Sequence, residues 1–463
     1  IWGRTGFYQN GGGFGFRDQI QDCLSIMYLS PKIALEHILR CCQSQFPEGD
    51  VLHWWHEFTF GNMSKNVGVR TRCSDDLLWL PYAACEYAEV FAGTEGDGMS
   101  GDFWSMETEY CIGPQLPNDK SELFMEVSGN GEKESVFGHC KKAMEKGFVK
   151  GKNGLLKMGS GDWNDGYNRV GARGNGESVW LSMFYIICGR KFAPVARERG
   201  EGAYAEELEK NIADLCVAIE ENAWDGDHYL RAFYDDGEKM GSDESEACRI
   251  DLLPQAFAAL CGLPDTKRVV TASNTAWEQL VDKKNGIIKL FTPPFDNDSE
   301  SGRDPGYVRS YPIGVRENGG QYTHGAVWYC ISCFELGQNK RGFELLNMLN
   351  PSYKDGKFGR EPYFMTADIY TNPHCYARGG WSMYTGAAGW YWKCIFEGLF
   401  GVKVRGNTVS FAPRLPAEFD GASVRIKISG GEINATFRYK GKGENEVKVG
   451  LEKGVVKEVE VGF

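Results

Sequence analysis

Ala203-Tyr204-Ala205-Glu206-Glu207-Leu208-Glu209-Lys210-Asn211-Ile212-Ala213-Asp214-Leu215-Cys216-Val217-Ala218-Ile219-Glu220-Glu221-Asn222 sets Leu208, Ile212, Leu215 and Ile219 at steps of four, three and four. An α-helix turns once every 3.6 residues, so these side chains share one stripe and predict an amphipathic helix packed through it. Working outward, similar helical patterns occur at 17–29, 33–46, 75–92, 136–147, 177–195, 251–262, 266–282, 322–335, 340–349 and 386–400. With few convincing strand patterns among them, the fold class expected for 1–400 is mainly α, helix packed on helix. The stretches 47–74, 94–132, 150–176 and 284–321 are rich in Gly, Asp, Trp and Arg and are expected as long loops, the usual carriers of function. After residue 401 the pattern changes. Val424-Arg425-Ile426-Lys427-Ile428 and Ala435-Thr436-Phe437-Arg438-Tyr439 alternate apolar and polar residues, which predicts a small C-terminal antiparallel β domain over 401–463.

Composition narrows the function classes. Hydrophobic and charged residues make up 42% and 25% of 463, as in soluble globular chains, and no apolar run is long enough to predict a membrane span. A net charge of −12 argues against nucleic acid as a partner but leaves room for a small anion in a local pocket. The first residues lack the basic start and apolar stretch of a signal peptide. The fifteen Cys are scattered, with Cys41 and Cys42 adjacent, and are expected as free thiols in a reducing cytoplasm. Cys330-Ile331-Ser332-Cys333 lies in an apolar helical run and reads as buried structure. His53-Trp54-Trp55-His56 lacks the i, i+4 spacing of a helical zinc pair and has no evident third ligand, so no metal is expected. Its tryptophans suit a sugar platform or a core wall.

Four segments concentrate chemistry, and each has a plain structural reading beside a functional one. Met158-Gly159-Ser160-Gly161-Asp162-Trp163-Asn164-Asp165-Gly166 holds two carboxylates around a Trp. It is either a turn capped by its own Asp and Asn, or a site where an aromatic wall or a second carboxylate keeps a general acid protonated. Tyr384-Thr385-Gly386-Ala387-Ala388-Gly389-Trp390 opens a helix with Thr385 as a natural N-cap; small residues there leave N–H groups open to an anion or merely allow close packing. Val315-Arg316-Glu317-Asn318-Gly319-Gly320-Gln321-Tyr322-Thr323-His324 crowds polar groups before an apolar helix, where His324 is either structural or a cation or donor for phosphate. Phe14-Gly15-Phe16-Arg17-Asp18 and Arg70-Thr71-Arg72-Cys73-Ser74-Asp75-Asp76 pair Arg with Asp, as salt bridges or as readers of hydroxyls, and Ser74 looks like an N-cap.

Taken in order, Gln9-Asn10-Gly11-Gly12-Gly13-Phe14-Gly15-Phe16-Arg17-Asp18, Glu48-Gly49-Asp50-Val51-Leu52-His53-Trp54-Trp55-His56, Gly161 to Gly166, Arg316 to His324 and Tyr384-Thr385-Gly386 resemble glycoside hydrolase family 94, the cellobiose, cellodextrin and related β-glucan phosphorylases. The resemblance implies an (α/α)6 barrel followed by the small β domain. It implies Asp165 as catalytic acid, and Arg4, Arg17, Asp18, Asp162, Trp163 and Glu317 as sugar-binding residues. His324, Thr385 and Gly386 would hold inorganic phosphate, the co-substrate, with no other cofactor. The implied reaction is inverting phosphorolysis of a β-linked gluco-oligosaccharide to α-glucose 1-phosphate and a shortened sugar. An inverting hydrolase on the same barrel and a non-catalytic carbohydrate-binding module are the alternatives. The partners implied are the oligosaccharide and phosphate, a second copy in a homodimer, and a separate N-terminal β-sandwich domain. The cellobiose branch carries an Arg ahead of the Gly-Phe-Arg-Asp motif and a Gln near Thr366-Ala367-Asp368. Gly11-Gly12-Gly13 and His-Trp-Trp-His bring this chain nearer to cellodextrin and β-1,2-oligoglucan phosphorylases and to the phosphorylase-like part of cyclic β-1,2-glucan synthases.

Overall fold

A computed structural model describes residues 13–60, 63–91, 102–296, 303–354, 359, 361–382, 384–428, 430–441 and 446–463. Each helical stretch expected from the sequence is a helix. Two patterns of burial separate them. α9 (Thr323–Glu335) is apolar nearly all round and buries eleven of its thirteen residues. α6 (Gly202–Asn222) buries a single stripe that includes Leu208, Ile212, Leu215 and Ile219. A helix apolar on every side belongs inside other helices, and one with a single stripe belongs at the surface.

The contacts follow that division. α1 (Phe16–Ile26), α3 (Trp79–Phe91), α5 (Val179–Glu198), α7 (Leu252–Leu260), α9 and α11 (Thr385–Lys393) touch one another in sequence, and α11 returns to α1 to close the cycle. α2 (Pro31–Cys42), α4 (Val136–Gly147), α6, α8 (Thr266–Leu280) and α10 (Asn339–Leu349) each pack on the cycle helix that precedes them. The middle of the cycle is filled by aromatic rings: Trp79 lies 4.4 Å from Phe184, and Trp328 lies 5.1 Å from Phe257 and 5.7 Å from Trp390. The last helix expected from the sequence, at 386–400, is α11 followed by a π-helical turn at Cys394–Leu399.

Among their described residues, the expected loops at 47–74 and 94–132 are largely strand. β1 (Gly13–Gly15), β2 (Leu52–Phe60), β3 (Met63–Thr71), β4 (Glu107–Ile112) and β5 (Glu122–Ser135) form one antiparallel sheet in the order β1-β2-β3-β5-β4. Val67, Val69 and Thr71, and Leu123, Met125 and Val127, carried the period-two signal. A register shift between Leu52 and Trp54 bulges β2 at His53, and the His53 ring meets Asp76.

Beyond 401 the expected strands form two three-stranded sheets. β6 (Val402–Arg405), β7 (Thr408–Phe411) and β10 (Val447–Gly450) make one, in the order β6-β7-β10. β8 (Ser423–Ile428), β9 (Gly431–Arg438) and β11 (Val456–Gly462) make the other, in the order β8-β9-β11. The expectation of a purely antiparallel module is corrected, because β9 and β11 run parallel. After β9 the chain crosses to the other sheet as β10 and returns alongside β9 in the same direction. All fifteen Cys are free thiols.

Beneath the aromatic filling, the buried Lys393 ammonium binds Glu86 at 3.0 Å and Glu397 at 2.6 Å, and Glu86 also pairs with Lys191. Burial works against the Glu86 charge, but the two ammonium groups outweigh it and hold the carboxyl below the usual range. Replacing Lys393 with Met leaves the half-buried Glu86 and Glu397 carboxylates one charged partner fewer, so K393M is expected to lose about 1.5–3 kcal/mol of stability, measured by urea unfolding.

Candidate functional site

The first turns of α1, α9 and α11 meet the loops that precede α3 and α5, and the chemistry-bearing segments converge there. Asp165 opens a 3-10 turn, with its side chain 37% exposed, and accepts from Arg17 Nη2 at 2.6 Å. Arg17, on the first turn of α1, also donates through Nη1 to Asp75 at 2.9 Å and to the Asp162 carbonyl at 2.8 Å. Gly161, with φ at 130°, makes the sharp entry, and its carbonyl accepts from the Ser74 amide and hydroxyl. Ser74 therefore ties two loops together instead of capping a helix.

Both readings of the 161–166 loop hold, on different residues. Asn164 caps the Gly166 amide at 3.0 Å. Asp162 is fully buried and takes two bonds from Arg231, at 2.7 and 2.6 Å, with a third from Ser178 at 2.6 Å. Burial opposes its charge, and Arg231 more than compensates, holding the carboxyl below its ordinary value. Its side chain is committed to Arg231 and Ser178, so it anchors the loop from within the core. Trp163, 7% exposed, stands perpendicular to Tyr322 at 5.3 Å and to His324 at 5.7 Å. Asp18 is exposed beside Arg17. Glu317 is engaged by Arg316 at 3.2 Å. Arg4 lies outside the described residues.

The segments expected to hold an anion come together but differ in detail from expectation. Tyr384, not Thr385, is the N-cap of α11, and it makes no side-chain cap bond. Thr385 is the first helical residue and donates its hydroxyl to Asp22 Oδ2 at 3.1 Å. His324 is 5% exposed, and burial, reinforced by the Arg17 charge, lowers its pKa to about 3. It is a neutral imidazole, not the cation that the sequence allowed.

Several side chains escaped the sequence reading. Cys73 Sγ lies 3.8 Å from Asp165 Oδ1. Arg316, in the left-handed region at φ 53°, stacks between Trp381 at 4.3 Å and Tyr311 at 5.0 Å. Tyr307 is close enough for the Asp165 charge to oppose its ionisation, although burial is the larger cause. Tyr307 and Tyr311 lie in a stretch read as loop, where no period marks a ring as pocket-facing. His53, Cys73 and Asp165 bring potential metal donors within 4.8 Å of one another, and the Arg17 guanidinium sits among the same groups. Trp55 is core, stacked on Phe14 at 5.2 Å, whereas Trp54 is half-buried against Phe124.

A family model described as the glycosyl hydrolase 94 superfamily, catalytic domain, matches residues 1–401. The chain belongs to this family. Among its relatives, cyclic beta-(1,2)-glucan synthase NdvB of Rhizobium meliloti is 39% identical over 93% of this chain and 15% of its own length. Cellobionic acid phosphorylase of Neurospora crassa is 27% identical over 96% of this chain and 54% of its own length. Solabiose phosphorylase of Paenibacillus borealis is 27% identical over 95% of this chain and 52% of its own length. The chain thus spans about half or less of each of these relatives. Two solved glycosidases share the fold at low identity. The GH63 mannosylglycerate hydrolase of Thermus thermophilus is 12% identical at a TM-score of 0.51, covering 82% of this chain and 93% of that one. The GH78 rhamnosidase of Bacillus sp. GL1 is 14% identical at 0.51, covering 98% and 40%. Among the described residues no helix is long and apolar enough to cross a membrane.

His53 supplies a pH test of this GH94 site. Burial disfavours its charge, but Asp76 at 2.7 Å and then Asp165 prevail, raising its pKa to about 9 from 6.5. A group raised in the folded state stabilises fully below its unfolded pKa and loses that contribution as pH rises through the folded one. His53→Gln is therefore expected to lose on the order of 3 kcal/mol at pH 6 and progressively less as pH climbs to about 9, read from unfolding midpoints across that window.

Proposed function

We propose that the chain is the catalytic part of an inverting glycoside phosphorylase. Phosphate attacks the anomeric carbon of a β-linked gluco-oligosaccharide while Asp165 protonates the leaving oxygen, giving α-glucose 1-phosphate and a shortened sugar. The closed cycle of six helices with outer partners is, on this reading, an (α/α)6 barrel spanning about 1–400, with a β domain at 401–463. Arg17, Asp18 and Glu317 read the sugar hydroxyls, and Trp163 packs against its ring.

One observation carries the reading: α1 joins a carboxyl to an anion cradle. Arg17 holds Asp165, while Gln21, one turn later, holds His324, and Asp22 holds Thr385. One turn of helix rises about 5.4 Å, a span suited to an anomeric carbon between acid and nucleophile. An inverting hydrolase needs a second carboxylate to activate water. Glu317, the candidate by type, is tied to Arg316. Phosphate is already an anionic nucleophile, so an acid and an anion cradle suffice. The phosphorylases among the relatives support the class of reaction. The relative named for a cyclic beta-(1,2)-glucan puts β-1,2-linked glucans first among substrates to try.

β-linked gluco-oligosaccharides of several linkages, incubated with and without phosphate, are expected to release α-glucose 1-phosphate only when phosphate is present. Sugar release indifferent to phosphate would sink the reading. Asp165→Asn is expected to slow turnover by about 10²–10⁴-fold while oligosaccharide binding, followed calorimetrically, persists.

A further inference from the structure

A cavity of about 360 Å³ lies among the later turns of the cycle helices, whose first turns meet the acid loop, and its size is ordinary for a small-molecule site. None of Arg17, Asp165, His324 and Thr385 lines it. One repeated spacing builds it in two layers. Trp79 of α3, Phe184 of α5, Trp328 of α9 and Trp390 of α11 form an aromatic floor. Seven residues after each of them stands a charged side chain that lines the same cavity: Glu86, Lys191, Glu335 and Glu397. Residues i and i+7 share a helix face, two turns and about 10.5 Å apart. The inward face of a helix cycle ordinarily packs an apolar side chain at that second position, and here four helices place a charge there. Strand β6 closes one rim, where Lys403 and Arg405 line the mouth and Arg405 pairs with Glu89.

The wall offers a donor and an acceptor without net charge. Trp328 is 1% exposed, and its indole N–H, which can only donate, has no acceptor among the described residues. Glu397 takes its hydrogen bonds from Tyr28 and Lys393 on one oxygen, Oε1, which leaves Oε2 open as an acceptor. Glu86, Glu89, Glu335 and Glu397 are balanced by Lys191, Lys393, Lys403 and Arg405. A charged ligand gains little from such a balanced wall and still loses its water. A purely apolar one leaves the indole N–H and Oε2 unmet. A sugar ring supplies hydroxyls to both and an apolar face to the aromatic rings. We propose that this cavity binds one neutral pyranose, as a second sugar site at the far end of the helix cycle from Asp165. The inference stands on the cavity alone and does not require the phosphorylase reading.

The test titrates the full chain, with isotope-labelled indole nitrogens, with glucose and follows the Trp328 N–H resonance by NMR, assigned with Trp328→Phe. Glucose is expected to move that resonance downfield and saturably as the indole gains an acceptor. Glucosamine, a cation, and glucuronate, an anion, are expected to bind about 10-fold or more weakly near pH 6, because each brings an unbalanced charge. Ile331 lines the cavity between Trp328 and Glu335 on α9, and Ile331→Phe fills the space. That variant is expected to abolish the shift and leave phosphate-dependent turnover unchanged. Should it fail to fold, the wild-type comparison of glucose with its two charged analogues decides the point. No shift with glucose overturns the inference, as does a charged analogue binding as tightly as glucose. A shift that survives Ile331→Phe reports sugar at the acid loop and overturns it too. Loss of phosphate dependence alone overturns the phosphorylase reading and leaves this site standing.

Discussion

One face of α1 fixes the rest of the site. Arg17, Gln21 and Asp22 lie at i, i+4 and i+5, and a helix places such residues on adjoining parts of one surface, a turn apart. Between them they reach three elements: Arg17 the loop before α5, Gln21 the start of α9 and the first turns of α11, and Asp22 the start of α11. These elements are distant in sequence, from residue 17 to residue 390, and share no local reason to meet. The rigid 1.5 Å rise of α1 sets the spacing between Asp165 and the starts of α9 and α11, which no flexible loop could hold to a fraction of an ångström.

Such a ruler works only if what it measures is also fixed. The buried Arg231–Asp162 pair does this for the acid loop. A buried ion pair repays its desolvation only when the remaining donors and acceptors are well satisfied. Asp162 meets that condition through two guanidinium contacts, Ser178 and the Asn164 amide. With Asp162 committed below and Asn164 spent on capping, Asp165 is the carboxyl of the loop left partly open to solvent. Neighbouring residues of similar chemistry thus have opposite fates, decided by which side of a tight turn each side chain leaves.

That distinction also marks how far the sequence is legible. The helices could be read because a 3.6-residue period over ten or more residues is hard to produce by accident, as at Leu208, Ile212, Leu215 and Ile219. The five-stranded sheet was missed. Its strands are interrupted by Gly68, Gly129 and the bulge at His53, and the Gly, Asp and Trp around them read as loop. The site was legible as a set of segments through their order, but not as a set of roles. Spacing could not show that Asp162 turns inward, that Tyr384 and not Thr385 precedes the first turn of α11, or that the His324 ring is neutral. Each depends on partners outside the segment, from Ser178 and Arg231 for Asp162 to Gln21 for His324 and Asp22 for Thr385. Tyr307, Tyr311 and Trp381 gave no signal at all, since an aromatic in an aperiodic loop looks the same whether it lines a pocket or covers a core.

The placement of charge follows from the same geometry. Helix N-termini carry partial positive charge and C-termini partial negative charge, effective over about one turn. The starts of α1, α9 and α11 converge on the site, so the backbone itself contributes a field favourable to an anion. On the proposed function, this lets a chain of net charge −12 hold phosphate without a cluster of Lys and beside a neutral His324. At the opposite end of α11, the carboxylates of Glu86 and Glu397 would add to the negative pole. Lys393, in the last turn, meets both. The helices thus present unspent N–H groups where an anion is wanted and neutralise the other end with a buried ammonium. On the proposed function, an anion at the first end meets fixed dipoles that need not reorganise when the charge arrives.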